Sequence, residues 1–182
     1  MLCTIAKLDK TSTEKLNALM GEAYAELGMY HQLYGHITVA TYIGNEETDF
    51  IAYCKEQMKT VSPFALMYHK VEVLDKSSII VATPEKNAAL KWLHNQIHAR
   101  YSHALNEWTK RNAWYPHTTL LYSPGADLRR ICHMVSKNFI PFSAFVQRIE
   151  FSRVLEKGYE IIDRIDLASA SAAPLLCRDG IQ

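Results

Sequence analysis

Apolar residues follow two rhythms along this chain, and the order of those rhythms repeats. Leu2–Leu8 (LCTIAKL) is apolar and β-branched, which predicts a strand. A T-x-x-E pattern from Thr11 to Glu14 then predicts a capping box. Leu16, Leu19, Met20, Ala23 and Leu27 follow it at helical spacing. After a short YGHIT segment, residues 46–60 carry Phe50, Tyr53, Cys54 and Met58 as a second helical stripe. Pro63 closes it, and 64–74 reads as a strand.

The same order returns from residue 78. SIIVAT (78–83) predicts a strand, and Thr83-Pro84-Glu85 offers an N-cap with proline at the first helical position. Leu90, Leu93, Ile97 and Tyr101 continue an apolar helix face. A YPHTT segment follows, then a helix over 127–138 bearing Leu128, Ile131, Cys132 and Val135. Pro141 stops that helix, 142–155 reads as a strand, and YEIIDRIDL (159–167) as a last one.

Particular residues also match between the halves. TEKLNAL at Thr13 resembles PEKNAAL at Pro84, and Pro63-Phe64 matches Pro141-Phe142. Nine residues beyond each proline stands a glutamate between apolar neighbours, Glu72 and Glu150, since 72 − 63 equals 150 − 141. These landmarks predict an internal duplication. The expected fold is α+β and bilobal, with two pseudo-two-fold-related β/α lobes and antiparallel-type sheets around a central cleft. Residues 1–167 would form one domain, with repeats of about 1–75 and 76–167, and 168–182 a small-residue-rich, loose extension.

Composition narrows the choice of function. At 182 residues the chain can bury a real core, and its 48% hydrophobic and 21% charged content is that of an ordinary globular protein. With 20 Lys and Arg against 19 Asp and Glu, the field is nearly neutral. That argues against a protein held on nucleic acid by bulk electrostatics, which needs many cationic contacts. Cys3, Cys54, Cys132 and Cys177 are scattered with no C-x-x-C pair, as in a protein of reduced thiols. The N-terminus has no basic-then-apolar leader, and no apolar run is long enough for a membrane helix. A cytoplasmic location and a monomeric protein are the expectations.

The repeated Tyr-x-His-x-Thr pattern is the candidate chemistry: Tyr34, His36 and Thr38, then Tyr115, His117 and Thr119. In a strand, residues two apart share a face. Each motif therefore shows an imidazole beside a hydroxyl, with Ile37 and Val39, or Thr118 and Leu120, pointing to the opposite side. Two such faces across a cleft suit in-line displacement at phosphorus. One imidazole would remove a proton from the nucleophile while the other protonates the leaving group, and histidine can hold either state near neutral pH. The threonine hydroxyls would donate to non-bridging oxygens, where charge accumulates. No metal or cofactor is required by that constellation.

Paired His-x-Thr-hydrophobic segments, His36-Ile37-Thr38-Val39 and His117-Thr118-Thr119-Leu120, resemble the signature of the two-histidine (2H) phosphoesterases, which include 2'-5' RNA ligase-like proteins and 2',3'-cyclic nucleotide phosphodiesterases. With the repeats, the resemblance spans 1–167. It implies a bilobal α+β fold and metal-independent attack on cyclic or 2',5'-linked phosphodiesters, with His36, Thr38, His117 and Thr119 catalytic. Ligation would be the reverse reaction. One departure is visible: Pro116 precedes the second histidine, as is common in the family, whereas Gly35 precedes the first and would widen that side of the cleft.

The expected partner is a nucleotide or RNA-end phosphodiester, with no DNA and no membrane. Tyr34, Tyr115 and Trp114 are candidates for substrate binding, the last two as cleft-mouth aromatics on which a base could stack. His94 and His98, four apart on a predicted helix, are read as helix-edge residues rather than metal ligands, and Trp92 and Trp108 as core packing. A different class of function stays open beside the enzyme: a nucleotide- or RNA-end-binding module that keeps the cleft without turnover. A purely structural protein would instead point the two imidazoles into separate cores.

Overall fold

The computed structural model describes residues 1–31, 34–74, 77–155 and 158–167. The extension expected over 168–182, with Cys177, lies outside them. Among the described residues, seven strands and four α-helices follow in the order β1 (Leu2–Leu8), α1 (Lys10–Ala25), β2 (His36–Tyr42), α2 (Glu47–Met58), β3 (Phe64–Val73), β4 (Ile79–Pro84), α3 (Ala88–Tyr101), β5 (Thr118–Tyr122), α4 (Leu128–Asn138), β6 (Phe142–Val154) and β7 (Tyr159–Asp166).

All these strands join one antiparallel sheet, ordered β2-β1-β6-β3-β4-β5, with β7 added alongside β6. The long strand β6 is the hinge of this arrangement. One of its edges carries β1 from Val146 to Arg153, while the other carries β3 over Phe142–Val146 and β7 over 148–154. The third strand of each sequence repeat is thus exchanged: β3 pairs with β4 of the second half, and β6 pairs with β1 of the first. The helices follow suit, α1 leaning on β5 and α4, and α3 on β2 and α2.

Two helix starts differ from the sequence reading. Asp9, not Thr11, caps α1: its carboxylate accepts from the Ser12 amide at 3.0 Å and from the Ser12 hydroxyl at 2.6 Å. Two bonds to one ionised cap outweigh the neutral alternative. Thr83 and Pro84 end β4 instead of opening α3. The Thr83 hydroxyl is given to Glu72 at 2.8 Å, and Asn87 caps the helix by accepting from the Leu90 amide. The match of TEKLNAL with PEKNAAL therefore sets a stretch wholly inside α1 against one that leaves β4 at Pro84 and enters α3 at Ala88. The matched prolines and glutamates, by contrast, do occupy corresponding places around β3 and β6.

Alternation along the strands sends one set of side chains inward. Ile37, Val39, Leu120, Tyr68, Ala144 and Phe151 are fully buried with Leu16, Phe50, Leu93 and Ile97 from the helices. Tyr42, Phe50 and Tyr101 form an aromatic cluster in this core, Tyr42 and Phe50 stacking at 4.3 Å. That packing holds the backbones of β2 and β5, and so the motifs at their starts. Cys3, Cys54 and Cys132 are free thiols. Among the described residues no helix is long and apolar enough to cross a membrane.

Candidate active site

Strand geometry places the motif residues as their spacing requires. Ile37 and Val39 are buried while His36 and Thr38 are half-buried on the other face. In the second motif Thr118 and Leu120 are buried while His117 and Thr119 are half-buried. His36 opens β2, and His117 immediately precedes β5.

The two motifs are tied together by side chains reaching backbone groups. Thr118 donates its hydroxyl hydrogen to the carbonyl of His36 at 2.8 Å, and the Trp114 indole N–H donates to the carbonyl of Thr38 at 3.0 Å. Trp114 in turn stacks on His94, ring centroids 4.0 Å apart and planes at 8°. His94 donates from Nδ1 to the Val39 carbonyl at 2.9 Å. It is 2% exposed, so the helix-edge expectation is corrected: α3 turns this residue inward to clamp β2, and burial pushes its pKa below the ordinary imidazole value.

Each catalytic candidate is held the same way. His36 Nδ1 lies 2.7 Å from the Tyr34 carbonyl, and His117 Nδ1 lies 2.6 Å from the Tyr115 carbonyl. A carbonyl can only accept, so both Nδ1 atoms carry hydrogen and the neutral rings keep their lone pair on Nε2. Burial lowers both pKa values, and the carbonyl bonds partly offset it. For His36, Lys7 and His117 depress the value further while Glu150 raises it. The charge of His117 is one of the causes that lower His36, so the two imidazoles resist being protonated together.

The strand register adds two further residues, Glu150 and Glu72, to the motif rows. Thr38 lies opposite Ile5, which lies opposite Glu150; Thr119 lies opposite Val81, which lies opposite Glu72. The two glutamates marked in the sequence only as repeat landmarks therefore share rows with the two threonines. The tyrosine hydroxyls reach them: Tyr34 donates to Glu150 and Tyr115 donates to Glu72, each at 2.6 Å. Around Tyr34, Lys7 Nζ stands 3.5 Å from the ring centroid and Tyr159 meets it edge-on at 5.3 Å. Lys7 also pairs with His36 across β1 and β2. One residue beyond the Ala82–Thr118 pair, Thr83 takes the corresponding place in β4, and its hydroxyl is given to Glu72.

A cleft of about 590 Å³ opens on this region, the size of a small-ligand site. Thr38, Trp114, Tyr115 and His117 line it with Trp108 and Tyr122. Trp108 is 70% exposed on a short 3-10 turn, Glu107–Thr109, which corrects its reading as core packing; α3 has ended by Tyr101, and no apolar face continues to bury it. Trp92 is likewise partly exposed. Gly35 is also corrected. A Cβ there would stand 2.6 Å from Leu16 Cβ, so the glycine admits α1 against the chain instead of widening the cleft. Among the described residues, no group of three His, Cys, Asp or Glu side chains is placed to share a metal ion.

A family model for the 2'-5' RNA ligase superfamily matches residues 9–158. The fold is shared with solved structures of low identity. TT0787 of Thermus thermophilus aligns with a TM-score of 0.65 at 16% identity, over 93% of this chain and 99% of its own. LigT of E. coli complexed with 3'-AMP aligns with a TM-score of 0.63 at 14% identity, over 92% and 98%. A structure described as a phosphoesterase aligns with a TM-score of 0.61 at 14% identity, over 92% and 98%. No curated protein sequence matches.

Proposed function

Because this chain belongs to the 2'-5' RNA ligase superfamily, we propose that it is a metal-independent phosphodiesterase acting on 2',3'-cyclic or 2',5'-type phosphodiesters of nucleotides or RNA ends. The observation that carries this reading is the identical anchoring of two imidazoles. Each gives its Nδ1 hydrogen to the carbonyl two residues before it, which leaves Nε2 as the nitrogen for proton transfer.

With a cyclic phosphate between them, the neutral imidazole takes a proton from water through Nε2 as the water oxygen bonds to phosphorus. The protonated one gives its Nε2 hydrogen to the departing ribose oxygen. The product is a nucleoside monophosphate, and the exchanged protons re-equilibrate with solvent. Thr38 and Thr119 donate their hydroxyls to the non-bridging oxygens; among the described residues neither hydroxyl is taken by a protein partner. With the 5'-hydroxyl of a second ribose in place of water, the same two proton transfers join the ends in a 2',5' linkage as the 3'-oxygen departs with the proton. Complexes of LigT with 3'-AMP, with ATP and with NADP+ support a nucleotide as the occupant of such a cleft.

The test is His36→Ala and His117→Ala on a panel of 2',3'-cyclic nucleotides and 2',5'-linked dinucleotides, with and without EDTA. Each variant should lose roughly 10²–10⁴-fold in kcat, the worth of one proton transfer. Full activity in either variant, or inhibition by EDTA, overturns the reading. Nucleotide affinity without product in the wild-type protein would favour the binding module.

A further inference from the structure

Glu150 and Glu72 are carboxylates that the proton transfers do not themselves require. Glu150 is only 4% exposed, in the middle of β6, where an ionisable group is seldom found without partners. Its Oε2 accepts from the Tyr34 hydroxyl, and Arg148 stands 4.0 Å from Oε1. Glu72 accepts from Tyr115 at 2.6 Å, from Thr83 at 2.8 Å and from Lys70 at 2.8 Å. Both bonds cross the chain: the first motif's tyrosine is held from β6, and the second motif's from β3.

We propose that these glutamates are positioning residues, Glu150 acting through Tyr34 on His36 and Glu72 acting through Tyr115 on His117. The proposal rests on the imidazoles being the acid and base. Each tyrosine is a lever with two ends. The carbonyl that takes each Nδ1 hydrogen belongs to the same tyrosine whose phenol is tied to the carboxylate. Both tyrosines stand before the first residue of their strand, so the phenol bond fixes a stretch that the sheet has not yet taken up. A phenol on a carboxylate is charge-assisted and about twice as strong as a neutral bond.

Charge keeps the lever set. Burial pushes the Glu72 carboxyl up, but the bonds from Lys70, Tyr115 and Thr83 outweigh it and hold the group below the ordinary carboxyl value. It is therefore an anion across the neutral range. Burial and the neighbouring Glu150 both raise the Tyr34 phenol, which stays a donor. If a lever slips, the imidazole can turn or carry its hydrogen on Nε2, and that tautomer cannot accept the nucleophile's proton.

The crossed geometry makes the test specific. In the full chain, Tyr34→Phe, Tyr115→Phe, Glu72→Ala and Glu72→Gln are compared by 15N NMR of the imidazole nitrogens and by steady-state kinetics on a 2',3'-cyclic nucleotide. Tyr115→Phe and Glu72→Ala should convert His117 to a mixture of tautomers and leave His36 as it was. Tyr34→Phe should do the reverse, and it spares the buried Glu150, whose removal could prevent folding. In all three, kcat should fall about tenfold or more with KM within about twofold, as for a misplaced proton-transfer group. Glu72→Gln keeps an amide oxygen for the phenol and should retain both tautomer and most of kcat. Unchanged tautomers in both phenylalanine variants overturn the proposal. So does a disturbance of both imidazoles alike in step with lost thermal stability. The NMR readout needs no turnover, so an inactive wild-type protein with ordered tautomers would sink the phosphodiesterase reading and leave the lever standing.

Discussion

The hydroxyl of Thr118 donates to the backbone carbonyl of His36 across 2.8 Å, joining the two motifs through residues 82 positions apart. Its only hydrogen is thereby spent, so the 2.7 Å contact with the buried Tyr68 runs from the tyrosine O–H to the threonine oxygen. Thr118→Val keeps the shape but strands a buried phenol and a carbonyl. We expect a loss of about 1–3 kcal/mol in urea denaturation. Thr118→Ser should recover most of it. Equal stability of all three forms would show that the relay contributes nothing.

Acidity should shape both activity and stability. Both site imidazoles are depressed in the free protein, first by burial. A bell-shaped kcat/KM profile should therefore centre below the ordinary imidazole value of about 6.5. A profile centred above pH 7 would contradict this.

For folding, the sign follows from proton counting. The unfolded chain takes up protons on His36, His94 and His117 near pH 6.5, before the folded chain does. Their contribution is present above that pH and is lost as pH falls through the lower folded values. Unfolding free energy should thus drop between pH 7.5 and 5; a rise attributable to these residues, removed one at a time, would refute it.

Gly35→Ala tests why the first motif lacks the proline of the second. The new Cβ would meet Leu16 Cβ at 2.6 Å and Cδ1 at 3.0 Å, and a Cβ cannot swing aside as a side-chain tip can. Overpacking of this kind costs about 1–3 kcal/mol. Thermal melting should register it as a lower Tm.

The threonines and the cleft aromatic separate binding from chemistry. Thr38→Val and Thr119→Val should each lower kcat by about 10²-fold, as for loss of a donor to developing charge. Trp108→Ala removes a side chain that is 70% exposed and lines the cleft. It should raise KM for nucleotides several-fold, as loss of about 1 kcal/mol or more of stacking would, with melting unchanged. An unaltered KM would remove Trp108 from the substrate's path.

Much of this is legible in the sequence because the signals are periodic. Strand and helix order, the facing of His36 and Thr38 away from Ile37 and Val39, and the start of α4 beside Asp127 follow from spacing alone. The exchange of β3 and β6 is not, because strand pairing is decided by long-range packing that no local pattern encodes. His94 escapes a local reading for a similar reason: its helix faces β2, and only the assembled fold shows that. Glu72 and Glu150 leave a signal in their equal distance from two prolines. Their bonds to the motif tyrosines become visible only with the sheet formed.

The exchanged strands bear on how the chain is made. During synthesis β1 emerges well before β6, so one of its edges waits for that strand, whose last partner for it is Arg153. Until then the amino-terminal half exposes an unfilled strand edge, the kind of surface that pairs with neighbouring chains. Neither half can finish its sheet alone, so severed halves should be incompetent apart and recover only when mixed. A site built crosswise therefore appears all at once, when the last long strand arrives.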